Sequence, residues 1–234
     1  MQRLKLLGLA LVAVFALSAA VTAVASADNA TYSILPEGTA ANPMNFEAIS
    51  GEGKFETLSK KTIKCASDKA TAKATSERLG TFRLELKECE EPSLKVKCAD
   101  LNHTDAEGIT VIEGEFHLRM GLSGQPLGII AFLINPAVHL LCSIVLFIWS
   151  GCVAGEIEAG ALNTLVTELG VLLKQANGEN TISSIDNDAQ TAMENCALSS
   201  KQANGTAETA GLETHEVLKS FTQGGNSVTT LIHV

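Results

Sequence analysis

The chain has 234 residues, of which 46% are hydrophobic and only 4% aromatic, and it carries a formal charge of −9. A dispersed acidic surface keeps a domain in solution by self-repulsion and excludes nucleic acid as a partner. The length suffices for one large domain with a core of its own.

Arg3 and Lys5 precede an almost wholly apolar run from Leu6 to Val24, and Ala25-Ser26-Ala27 then offers the small residues that signal peptidase accepts. The segment is expected to be a cleavable signal peptide, residues 1–27, leaving a mature domain over 28–234. An uncleaved membrane helix would also fit its length, but the small residues before a polar stretch favour cleavage. Losing Arg3 and Lys5, and no acid, moves the formal charge from −9 to −11.

All six cysteines, Cys65, Cys89, Cys98, Cys142, Cys152 and Cys196, lie beyond the cleavage point. An even number in an exported chain predicts a disulfide framework, with fifteen connectivities open. No spacing matches a structural zinc site. Cys89 and Cys98 bracket a short loop with Pro92 in it and are the favoured pair. Cys142 and Cys152 cannot pair if one continuous strand carries both, because roughly ten extended residues span about 33 Å and a bridge needs Cα atoms within about 7 Å. The other pairings stay open.

From Asp28 to Ser123 the pattern is of short alternating runs. Gly53, Phe55 and Thr57 alternate with Lys54, Glu56 and Leu58; Phe82, Leu84 and Leu86 alternate with Arg83, Glu85 and Lys87; Ile112, Gly114, Phe116 and Leu118 alternate with Glu113, Glu115 and His117. This period of two is that of half-buried strands. Two copies of KQANG, at Lys174 to Gly178 and Lys201 to Gly205, place Asn-Gly pairs where hairpin turns form. Between them, Asp188 to Ser199 reads as strand, although its Ala, Gln, Met and Glu would also suit a helix.

Gln125 to Gly155 is the most apolar part of the mature chain, with no charge between Arg119 and Glu156. Leu127 to Trp149 is long enough for a membrane helix. The first basic residue after it is Lys174, however, so the flanks lack the positive charge that retains a stop-transfer helix. The favoured reading is two buried strands, Ile129 to Ile134 and Val138 to Ser150, divided at Asn135-Pro136, with apolar residues on both faces.

The segments Ile49 to Ala70, Cys89 to Cys98, His139 to Ile157 and Ala207 to Leu218 together resemble a group of exported, cysteine-containing all-β proteins of soil actinobacteria. The resemblance implies an exported β-rich domain. It implies no activity, and members of that group are less apolar where this chain has Ile129 to Trp149.

Candidate chemistry is sparse. Glu113, Glu115 and His117 share one strand face and could contribute to a metal site; Asp100, Asn102, Asp105 and Glu107 are clustered oxygen ligands of the kind calcium takes. In both cases a solvated surface explains the residues as well. Gly121-Leu122-Ser123-Gly124 lacks the second glycine of a nucleophile elbow, and His215-Glu216 lacks the second histidine of a zincin helix, with Lys219 in its place. No catalytic residue and no cofactor site is expected. The chain therefore reads as a single disulfide-bonded all-β domain, an antiparallel sandwich or barrel of hairpins, secreted or held in the cell envelope. The expected role is a non-catalytic binding or structural module whose partner is an extracellular protein or a cell-wall glycan. The alternatives are an envelope protein anchored by a helix at 127–149 and a secreted hydrolase or metal enzyme.

Overall fold

A computed structural model of the chain describes residues 33–104, 108–120, 128–186 and 193–233. The expected signal peptide and cleavage site lie outside the described residues, as does the Gly121–Gly124 run. In chain order the first strands are β1 (Ser33–Leu35), β2 (Met44–Ser50), β3 (Gly53–Thr57), β4 (Thr62–Cys65), β5 (Ser67–Ala74), β6 (Leu79–Lys87) and β7 (Glu90–Glu91). There follow β8 (Val96–Asp100), β9 (Ile109–Met120), β10 (Gly128–Cys142), β11 (Val145–Ile157), β12 (Leu165–Val166), β13 (Leu169–Leu173) and β14 (Gln175–Ala176). The last are β15 (Glu179–Asn180), β16 (Ser184–Asp186), β17 (Met193–Asn195), β18 (Leu198–Gln202), β19 (Ala207–Gln223), β20 (Asn226–Ser227) and β21 (Thr230–His233). The fold is all-β and antiparallel, as the alternating pattern requires.

The ladders close on themselves twice. From β19, pairing runs through β2, β5, β6, β9, β10, β11 and β13 and back to β19. A second circuit runs from β19 through β3, β4, β7, β8, β10, β11 and β18, again returning to β19. Two antiparallel rings therefore share β10, β11 and β19, which are the longest strands, with 15, 13 and 17 residues, because each serves both rings. Closure removes the free edges that an open sheet would leave. The small sheet β1-β21-β12 stands apart from this ladder and adds Ile34 and Ile232 to the main core.

The long apolar stretch is the hairpin β10–β11, the wall common to both rings. No helix among the described residues is long and apolar enough to cross a membrane. Its lack of charge follows from burial on both faces. Ile130, Phe132, Ile134, Val138 and Leu140 join the main core, while Ile129, Ala131, Cys152 and Ala154 form a second cluster with Ile182, Ile185 and Cys196.

The boundaries of these strands differ from the sequence reading. Val138 to Ser150 is not one strand, because Ser143, at φ 59°, turns the chain between β10 and β11. Conversely, Asn135-Pro136 does not divide two strands. It sits in a register shift of β10 between Ile134 and Val138, where β10 leaves β9 and goes on to pair with β8. A bulge is a place where proline's missing N–H costs no ladder bond.

The Asn-Gly reading holds in detail at Asn177-Gly178, where φ values of 56° and 83° give the hairpin turn between β14 and β15. A Cβ at Gly178 would lie 2.3 Å from the Thr57 carbonyl carbon, so glycine is required there. Asn204-Gly205 also lies in a hairpin, between β18 and β19, and the Gly205 amide donates to the Gln202 carbonyl at 2.9 Å. Of Asp188 to Ser199, residues 193–195 and 198–199 are strand, and 188–192 lie outside the described residues.

The disulfides are Cys65–Cys89, Cys98–Cys142 and Cys152–Cys196, so the favoured Cys89–Cys98 pair is incorrect. The loop does close as expected, with the Cys98 amide donating to the Cys89 carbonyl at 2.9 Å. That backbone bond marks the wider kind of antiparallel pair. Each cysteine instead bridges to its other neighbour, with Cα–Cα distances of 3.9 Å for Cys65–Cys89 and 4.1 Å for Cys98–Cys142. The result is a row of four cysteines across the wall of the second ring. Three disulfides suit an oxidising compartment.

The second ring is filled by Trp149, 1% exposed, stacked on Phe55 with ring centroids 3.9 Å apart and planes 14° from parallel. Trp149→Ala is expected to cost about 3–5 kcal/mol, the usual loss for a large aromatic deleted from a core. Urea denaturation measures this, and an unchanged midpoint would show that Trp149 does not organise that ring.

Candidate ligand site in the first ring

On β19 the residues Ala210, Leu212, Thr214, Glu216 and Leu218 alternate with Gly211, Glu213, His215 and Val217. Period two therefore turns Glu216 to the inside, together with leucines. On β5 the same rule turns Asp68 inward with Ala70, Ala72 and Ala74. Asp68 and Glu216 are each only 5% exposed. The Ser50 hydroxyl donates to Asp68 Oδ2, and the Thr214 hydroxyl donates to Ser50 Oγ at 3.1 Å.

With both acids ionised, Glu216 Oε1, Glu216 Oε2 and Asp68 Oδ1 are buried without a hydrogen-bond donor. A proton shared between the two carboxyls supplies one. Burial, then the Asp68 charge, then the hydrogen bond to Asp68 push Glu216 up to about 9. Burial raises Asp68 as well, against the hydrogen bonds it accepts. The pair thus retains a proton at neutral pH. It can donate that proton in a hydrogen bond, or give it up and act as a buried anion.

Glu216 and Thr214 line a cavity of about 60 Å³ inside the first ring, whose other walls include Phe82, Phe132, Ile134 and Leu212. A second void of about 30 Å³, reaching Ile232 and Thr230, shares Phe46, Ala72, Phe132 and Leu218 with the first. The lumen is therefore apolar along its length, with acids at one end. At that end the wall is interrupted. β19 pairs with β3 as far as Glu213 and with β2 only from Val217, so among the described strands Thr214, His215 and Glu216 have no partner on that side. The Ser50–Gly53 turn passes this gap, and Gly51 and Glu52 are exposed.

The residues singled out from the sequence lie elsewhere. Glu113, Glu115 and His117 do share the outer face of β9, where Arg83 pairs with Glu113 and lies 3.1 Å from Glu85, and Arg119 Nη2 is 2.6 Å from His117 Nδ1. Asp100 is buried and accepts from the amides of Asn102 and Val111, both at 2.8 Å, with His103 Nδ1 at 3.1 Å. Asn102 donates its side-chain amide to the Ala137 carbonyl. Asp105 and Glu107 lie outside the described residues. Among the described residues no three His, Cys, Asp or Glu side chains are grouped to hold a metal. Glu216 entered the sequence analysis only as a failed zincin match. The signal that would have found it is a charge at an inward position of an alternating strand.

The chain matches no protein family, no curated protein and no solved structure.

Proposed function

We propose that this protein is an exported, non-catalytic binding module whose ligand enters the lumen of the first ring. The observation that carries the reading is an apolar cavity lined by Glu216, whose carboxyl is buried beside Asp68. Burying such groups costs several kcal/mol and gives a fold no stability in return. A ligand that uses them gives the arrangement a purpose, since a perturbed acid in a cleft is a candidate for a functional site. The predicted signal peptide and the three disulfides support a role outside the cytoplasm, as does the resemblance to exported β-rich proteins. A cell-wall glycan on the outer surface is less well supported, because the chain has one Trp and one Tyr for sugar stacking, and Trp149 is buried.

Methyl-labelled NMR tests the reading. Equilibrating the oxidised mature protein with xenon, a small apolar probe, is expected to shift the methyl signals of Ile134, Leu173 and Leu212 and to leave Ile185, in the outer cluster, unmoved. If the lumen methyls do not respond, the cavity is only a packing defect.

A further inference from the structure

We propose that one end of the second ring is a membrane-contacting face, setting Leu58, Leu94 and Ile144 into the head-group layer of a bilayer rich in anionic lipid. The proposal is independent of the lumen. Neighbouring strands of the second ring run in opposite directions all the way round. The turns that close β3–β4, β7–β8, β10–β11 and β18–β19 therefore lie together at one end. They comprise residues 58–61, 92–95, 143–144 and 203–206. Hydrogen bonds between neighbours agree with this grouping: the Ser59 amide donates to Glu208 Oε2 at 2.9 Å, and the Ala203 amide donates to the Leu146 carbonyl at 3.1 Å.

Two observations carry the proposal. The first is what the turns expose. Turn positions ordinarily go to Gly, Pro, Asn, Asp or Ser, yet three of these four turns hold a large apolar side chain in the open. Ile144 is 91% exposed, Leu94 58% and Leu58 47%. A β-branched residue does nothing for a two-residue hairpin turn, which favours Asn and Gly. Such residues scattered singly would need no explanation, but three gathered at one end form an interaction surface.

The second observation is the sign of the charge. The four turns contain Lys60, Lys61 and Lys95 and no acid, in a chain with 26 Asp and Glu against 17 Lys and Arg. Glu56 and Glu208 lie behind the tips, on β3 and β19, 3.1 Å from Lys60 and 3.7 Å from Lys61. Glu91 is buried and accepts from the Ser93 and Leu94 amides. Acids farther off than about 8 Å are largely screened from a lipid surface at physiological salt. Apolar tips joined to basic residues supply the two attractions that hold a protein reversibly on an anionic membrane. A fluid head-group layer closes round tips that project from separate turns, and the lysine stems reach past them to lipid phosphates. A neutral glycan would leave the lysines without a partner.

Co-sedimentation of the oxidised mature protein with vesicles tests this. Vesicles of equal parts phosphatidylcholine and phosphatidylglycerol are compared with vesicles of phosphatidylcholine alone. Binding is expected to be at least tenfold tighter to the anionic vesicles, and to weaken as salt is raised. Ile144→Asp, at a position too exposed to affect folding, is expected to lower affinity for the anionic vesicles about tenfold. Leu165→Asp adds the same charge on the small sheet and is expected to leave binding unchanged. Replacing Lys60, Lys61 and Lys95 together by Gln is expected to remove most of the preference for anionic lipid. If the protein sediments with neither kind of vesicle, or Ile144→Asp binds as the unaltered protein does, the proposal is overturned and the face is left to a protein partner. Equal binding to both kinds of vesicle would overturn the anionic assignment. None of these outcomes bears on the lumen.

Discussion

Glu216→Gln is expected to make the protein more stable above neutral pH, by several kcal/mol toward pH 9. Glu216 is 95% buried beside Asp68, and its pKa rises from 4.5 to about 9 on folding. A raised pKa means that the folded state favours the protonated acid. The stabilising contribution is therefore complete below pH 4.5 and is lost as pH climbs toward 9, at about 1.4 kcal/mol per unit. Glutamine keeps the shape and the donor of the protonated acid but cannot ionise, so the variant should lose the part of the slope that Glu216 contributes and keep only what Asp68, also raised by burial, contributes. Besides Asp68, the other ionisable groups on the strands packed here are Glu47, Lys54, Lys69, Glu213 and His215. All are exposed or half-exposed. At the acid end Glu91 acts oppositely. Burial raises it, but the Ser93 hydroxyl and the Ser93 and Leu94 amides outweigh burial and hold it below 4.5, so its contribution is lost as pH falls below that value. Urea midpoints at pH 5, 7 and 9 decide the matter. Parallel profiles for the two proteins would mean that Glu216 carries no strained proton.

Removing the Cys98–Cys142 bridge by a double alanine substitution is expected to cost about 4 kcal/mol. The Cys152–Cys196 bridge should cost nearly the same, since both close a separation of 44 residues, and loop-closure entropy grows only with the logarithm of length. Cys65–Cys89, with a separation of 24, should cost about 3.4 kcal/mol. The structural consequences differ. Cys98–Cys142 belongs to the row that holds the second ring closed, and its loss should loosen Trp149, the only tryptophan. Cys152–Cys196 pins the outer cluster and should leave Trp149 in place. Denaturation followed by tryptophan fluorescence and by circular dichroism separates these effects. An unchanged midpoint in either variant would show that its bridge adds nothing to the fold.

Much of the fold was legible because β-structure advertises itself locally. Phe82-Leu84-Leu86 and Phe116-Leu118 declared their inner faces by alternation, and Asn177-Gly178 declared its turn. What failed were judgements that depend on a neighbouring strand. Cys89 and Cys98 lie opposite each other in the ladder, as the short loop between them suggested. Which side each cysteine bridges to depends on whether the facing pair is wide or narrow, and that is set by strands 24 and 44 residues away in sequence. Ser143 was an unremarkable polar residue in an apolar run until the hairpin needed a residue with positive φ.

The candidate site was less legible still. Asp68 and Glu216 are 148 positions apart, and each reads alone as one acid among 26. Only the first ring sets β5 and β19 on either side of β2, so that both acids turn inward beside Ser50 and compete for one proton. The sequence by itself determined that the chain is β-rich, apolar at its centre and supplied with paired cysteines, because residue period and composition act over a few neighbours. The tertiary structure decided the cysteine partners, the sharing of three strands between two rings and the meeting of the two acids, because each of these is a relation between distant residues that only closure of the ladders creates.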